Sequence, residues 1–190
     1  MPTPFQAKLA ETAAEQFKTY RHYHETEAPL RNQIRRYWTE IEEPFPGVGT
    51  AWSAVFISWC VFKAGANAQE FRFSPQHSVF VYWAIGQALS SGALFKGRNL
   101  TSYAPKVGDI LQNNRDGNAL TFADATVQSD YKSHSAIVVA EATDAQGRYL
   151  LTVGGNEDDT VGRRVVRLNA NGRIRQPTPN YYISIIETLK

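Results

Sequence analysis

Cysteine is almost absent. Cys60 is the one cysteine in 190 residues, which excludes an internal disulfide and any cysteine-rich zinc module. Long apolar runs are also missing. The longest, Ala51 to Ala66, is broken by Ser53, Ser58 and Lys63 and is too short to span a bilayer, so no membrane span is expected. Nor is there a surplus of one charge. Lys plus Arg number 20 against 18 Asp plus Glu, and the resulting +2 is less than a general nucleic-acid binder carries. No phosphate loop, dinucleotide fingerprint or paired-carboxylate motif occurs, and His22 and His24 would fall on opposite faces of a helix. No cofactor and no metal is therefore implied. Met1 to Gln16 lacks the continuous apolar segment of a secretory signal, so the expectation is a chain not exported by a standard cleavable signal.

What remains is a globular balance, 43% apolar and 20% charged, in a length that suits one domain with at most a helical extension. Apolar residues recur at helical spacing over Phe5–Tyr23 and Glu25–Glu43. Pro44, Pro46, Gly47 and Gly49 then predict a rigid loop. A third helix over Trp52–Ala64, closed by Gly65, is apolar on nearly all sides and so belongs in the middle of its domain. Ser74-Pro75 resembles a cap and predicts a fourth helix over Pro75–Ser90. After Gly92 the pattern turns to strands: Asp109–Leu111, Ser135–Ala140, Tyr149–Val153, Arg163–Leu168 and Tyr181–Glu187. Helices first and mostly antiparallel strands later predict an α+β fold. The expected division is a helical N-terminal extension over 1–49 and a domain over 50–190.

Three residues stand where chemistry could be done. Ser53 falls in the first turn of the third helix, where unpaired N–H groups and the helix dipole favour developing negative charge. That suits a nucleophile beside an oxyanion site, although serine there is also an ordinary cap. His134 enters an apolar strand and could face that helix end as general base, or hold a purely structural hydrogen bond. Asn156 follows Gly154-Gly155 after the next strand and could fix the imidazole, or simply make a turn. On this reading Ser53 Oγ and a ring nitrogen of His134 lie within about 4 Å, with Asn156 on the other nitrogen. His77 could line a cleft or serve as a cap. Cys60 lies two turns below Ser53 and reads as buried core. Arg163, Arg164, Arg167, Arg173 and Arg175 form an acid-free basic segment, ordinarily a solvated strand face and otherwise a site for an anionic partner.

Together these pieces resemble a known pattern. Trp52-Ser53-Ala54-Val55-Phe56-Ile57-Ser58-Trp59 is similar to the nucleophile helix of the papain-like NlpC and CHAP cell-wall hydrolases. Pro105-Lys106-Val107-Gly108-Asp109-Ile110 resembles their Pro-x-x-Gly-Asp strand, His134 to Val139 their histidine strand, and Gly154-Gly155-Asn156 their third polar position. Residues Phe73–Tyr82, with His77, and Val161–Ile174 resemble the branch known as domain of unknown function family 2272, which carries serine in place of the usual cysteine. The resemblance implies a papain-like fold, with a central buried helix packed on an antiparallel sheet. It implies hydrolysis of amide bonds in peptidoglycan peptides by Ser53, His134 and Asn156, with Trp52 and His77 binding substrate. A non-catalytic cell-wall or partner-binding module, and an acyl-ester hydrolase or transferase on lipid, are the alternatives. Action on peptidoglycan without a cleavable signal implies an antibacterial effector delivered to the periplasm, cytoplasmic in its producer and matched by an immunity protein.

Overall fold

The computed structural model describes residues 1–190. Helix α1 (Pro4–Tyr20) starts with a capping box: Gln6 N–H donates to Thr3 Oγ1 at 3.1 Å and Thr3 N–H to Gln6 Oε1 at 2.8 Å. Helices α2 (Ala28–Thr39), α3 (Ser53–Lys63) and α4 (His77–Gly86) follow, then strands β1 (Phe95–Arg98) and β2 (Ile110–Asn114). A single helical turn, α5 (Phe122–Ala125), precedes β3 (Ser133–Asp144), β4 (Gly147–Glu157), β5 (Thr160–Arg167) and β6 (Tyr182–Thr188). The fold is thus mixed α+β, five helices with one six-stranded antiparallel sheet.

The strands lie in the order β1-β6-β2-β3-β4-β5. Strands β2 to β5 run as a meander, and β6 returns to fill the gap between β1 and β2. One face of the sheet carries Ile110, Ile137, Val153 and Ile186 into a core shared with α1 to α4. The other face carries Leu111, Val138, Leu150, Val166 and Ile185 into a smaller core with Leu168 and Ile174. These assignments follow from strand alternation, since neighbours in sequence point to opposite faces.

Helix α3 is the centre of the larger core. Every residue from Ser53 to Val61 is buried, as an all-apolar helix requires. Tyr37 of α2 packs its ring against Trp52, Phe56 and Trp59 at centroid distances of 5.9, 5.4 and 5.1 Å. Each such aromatic side chain contributes roughly 1.5–3 kcal/mol through burial. The indole N–H groups reach carboxylates at the rim: Trp52 donates to Glu25 and Trp59 to Glu40, both at 2.8 Å. α1 and α2 thus contribute directly to the core around α3.

Three details depart from the sequence reading. α4 begins at His77 and not at Pro75, because Ser74 is tied up elsewhere: its Oγ accepts from Gln76 N–H, and its backbone exchanges hydrogen bonds with Ser58. β1 falls outside the predicted strands. Its Gly97 is a weak strand former, but any Cβ there would collide with Ile85 of α4, so glycine is what lets the edge strand approach the helix. α5 was also not expected, being one turn held by the Thr121–Asp124 capping box.

Candidate active site

The first intrahelical bond of α3 runs from Phe56 N–H to Trp52 O at 3.0 Å. The N–H groups of Ser53, Ala54 and Val55 therefore have no acceptor within the helix, and they gather the positive end of its dipole. Ser53 is 3% exposed. Its Oγ lies 2.7 Å from Nε2 of His77, the first residue of α4, which is 7% exposed. Two helix starts thus bring a hydroxyl and an imidazole together inside the protein.

Burial holds the His77 pKa well below its ordinary 6.5, and the electrostatic influence of nearby His134 and Arg115 pushes the same way. The ring is neutral at neutral pH. Its Nδ1 is buried and has no hydrogen-bond partner. Its aromatic neighbours are Phe80, at 5.6 Å between centroids, and His134, at 5.4 Å and nearly edge-on.

His134 shares the parity of Ala136 and Val138 on β3, and so belongs to the sheet face turned away from α3. No hydrogen bond joins it to Ser53. Instead His134 Nε2 lies 3.1 Å from Glu157 Oε1, and Arg164 Nε donates to Glu157 Oε2 at 2.8 Å. The Glu157 side chain is only 4% exposed. Burial raises its pKa, but the hydrogen bond and charge of His134, then those of Arg164, outweigh this and bring it below the usual 4.5. An ionised carboxylate can only accept, so the hydrogen between them sits on His134 Nε2. His134 Nδ1 makes no hydrogen bond within the protein.

The backbone makes room for this carboxylate. Gly154 and Gly162 face each other across β4 and β5. A Cβ on Gly154 would lie 2.5 Å from Glu157 Oε1 and 2.9 Å from His134 Nε2, and a Cβ on Gly162 would strike the Glu157 side chain. The register shifts between Gly154 and Glu157, and Asn156 takes a left-handed φ of 55°. This bulge turns Glu157 back over its own sheet.

The five residues singled out from sequence therefore divide. Ser53 and His77 meet. Ser53 and His134 share no hydrogen bond; the imidazole on the Ser53 hydroxyl is that of His77, with the His134 ring 5.4 Å beyond it. Asn156 does not bond His134; it shares a small pocket with that ring, and the bulge hands the bond to Glu157. Trp52, fully buried and stacked on Tyr37, is a core residue of the helix start and offers no open face to a substrate. Glu157 was the missed residue. Its one sequence signal is an acidic side chain just after Gly154-Gly155-Asn156, and the one-residue shift of a bulge is not readable from the sequence. Cys60 is fully buried with its thiol pKa raised by desolvation, an inert core position.

No group of three or more His, Cys, Asp or Glu side chains is placed to hold a metal ion. No helix is long and apolar enough to cross a membrane.

Fold and site together define a mixed α+β domain with a buried serine–histidine pair at a helix start and a carboxylate-backed histidine beside it. The chain belongs to the family described as "Uncharacterized protein conserved in bacteria (DUF2272)", which it matches over residues 25–186. That span takes in Ser53, His77, His134 and Glu157. No curated protein and no solved structure matches the chain.

Proposed function

We propose that the protein is a serine-dependent hydrolase of amide bonds in peptidoglycan peptides, on a papain-like (NlpC/CHAP-type) scaffold. The observation that carries the reading is the 2.7 Å contact of Ser53 Oγ with His77 Nε2 at the first turn of α3. With its ring hydrogen on Nδ1, His77 takes the hydroxyl proton at Nε2 while Oγ attacks the carbonyl carbon. The N–H groups of the first turn receive the oxyanion. His77 then gives the proton to the leaving amine, and water releases the acyl group from Ser53 by the same route. Neutrality of the buried ring supports this role, since only neutral imidazole can accept the proton. His77 thus takes the part first expected of His134, and His134, held by Glu157, flanks the imidazole that must become charged. The substrate class rests on the resemblance of residues 52–59, 105–110 and 134–139 to cell-wall hydrolases.

The test is digestion of purified peptidoglycan by the wild type, Ser53→Ala and His77→Gln, with products read by mass spectrometry. New peptide termini from the wild type alone support the reading, and identical products from all three would end it. A second reading, a non-catalytic binding module, is favoured by the burial of both Ser53 and His77. Fluorophosphonate labelling separates the two: an adduct on Ser53 requires a reachable, activated hydroxyl.

Such an enzyme meets its substrate outside the cytoplasm, so the reading extends to delivery into the periplasm and a cognate immunity protein. Expression in a bacterium with and without a fused export signal checks this. Toxicity only on export, lost in Ser53→Ala, is the expected outcome. Toxicity confined to the cytoplasmic form would point to a cytosolic target.

A further inference from the structure

The sheet face opposite α3 carries a cleft of about 360 Å³ between β3 to β5 and the segment running into β6. Ser53 is not among its lining residues. His134, Glu157, Arg164, Arg167, Arg175 and Tyr182 are. We propose that this cleft is a binding site for a small ligand bearing a single carboxylate, held by the Arg175 guanidinium and the Tyr182 hydroxyl. The inference stands apart from the hydrolase reading and does not depend on it.

Charge is the first argument. Glu157 is the only acidic residue in the lining, and His134 and Arg164 already occupy both of its oxygens. Arg167 is held bidentate by Asp144 at 2.7 and 2.9 Å. Arg175 has no carboxylate within ion-pair range, so the cleft holds one uncompensated cation. Its backbone is fixed to the sheet edge, Arg175 N–H donating to Arg167 O at 2.8 Å.

The second argument is unused hydrogen-bonding capacity. The Tyr182 hydroxyl makes no hydrogen bond. Burial and the nearby Glu157 charge raise its pKa, against a smaller opposing effect of Arg164, so it stays a donor. Its residue is held rigidly, because the Gln176 amide both accepts from Tyr182 N–H at 2.8 Å and donates to Tyr182 O at 3.0 Å. Ala136 and Val166 add apolar surface beside these groups. A guanidinium, a phenol and a short apolar floor suit a carboxylate on a small aliphatic body.

Size and charge narrow the class. The volume is at the low end of the ~300–1,000 Å³ of small-molecule sites, enough for a dipeptide but not a polymer. One free cation matches a monoanion, whereas a polyanion needs a tract of them.

Calorimetric titration of the full chain with acetyl-alanyl-alanine, its C-terminal amide and phenyl phosphate tests the proposal. The free acid should bind saturably, and the amide at least about tenfold more weakly. Arg175→Gln should weaken the free acid by about tenfold or more, and Tyr182→Phe by several-fold. Arg31→Gln, which removes the same charge at an exposed position of α2, should leave binding unchanged. Both cleft substitutions spare the fold, since Arg175 is exposed and the phenol has no partner, and unchanged thermal melts check this. No saturable binding up to ~10 mM, equal binding of acid and amide, or full affinity in Arg175→Gln would overturn the site. Tighter binding of phenyl phosphate than of the free acid would overturn the carboxylate assignment.

Discussion

At the scale of single residues, the proposed chemistry turns on which histidine reaches Ser53. His77→Gln should lower turnover by about 10²–10⁴-fold, the usual contribution of a positioned base, with the melting temperature measured alongside to exclude unfolding. Ser53→Cys should keep or raise activity, because a thiol gives up its proton more readily than a hydroxyl and the same imidazole serves it. An inactive, folded Ser53→Cys would mean that the pocket cannot take the larger sulfur or does no acyl transfer. The acid limb of the activity profile follows from the lowered pKa of His77: it should lie below 6.5, with a plateau at neutral pH. A limb at or above 6.5 would rule out this buried ring as the base. Ser53 was legible in the sequence because helix starts are. Its partner was not, because His77 and His134 are chemically alike and only the packing of α4 and β3 around the start of α3 distinguishes them.

At the scale of elements, the bulge near the end of β4 depends on a glycine that leaves room for a buried carboxylate. Gly154→Ala should drive a methyl group into the Glu157 carboxylate and the His134 ring, at a cost of about 1–3 kcal/mol in denaturant unfolding. The same substitution made in a Glu157→Ala background should cost less, since most of the collision is gone; equal costs would show that the glycine is needed for another reason. The apolar centres of β3, β4 and β6 were readable from alternation and turn residues, as was the all-apolar α3. Strand ends were not. Ser133 to Asn114 pairing, the bulge at Glu157 and the edge strand β1 all depend on neighbours distant in sequence. The start of α4 failed for a related reason, a long-range bond from Ser58 outcompeting a local cap.

At the scale of the whole molecule, three buried ionisable groups set opposing pH trends. His77 and Glu157 have lowered pKa values, so what they contribute is complete above 6.5 and 4.5 respectively and is lost as pH falls below those points. Asp109, pushed up to about 6 by burial despite bonds from Lys106, Thr188 and Tyr103, acts the other way: its contribution is complete below 3.8 and is lost as pH rises through about 6. Denaturant midpoints from pH 8 to pH 5 should therefore fall less steeply in His77→Gln than in the wild type, since glutamine does not titrate. An unchanged slope would mean that His77 is no harder to protonate folded than unfolded. The strand order carries a consequence for how the chain is made. β6, residues 182–188, lies between β1 and β2, which precede it by some 70 residues or more. While the polypeptide is emerging from a ribosome, β2 to β5 can pair in order, but β2 keeps a bare edge and β1 has no neighbour until residue 188 is available. From the completion of β2 until β6 emerges, the nascent chain therefore exposes strand edges able to pair with another copy.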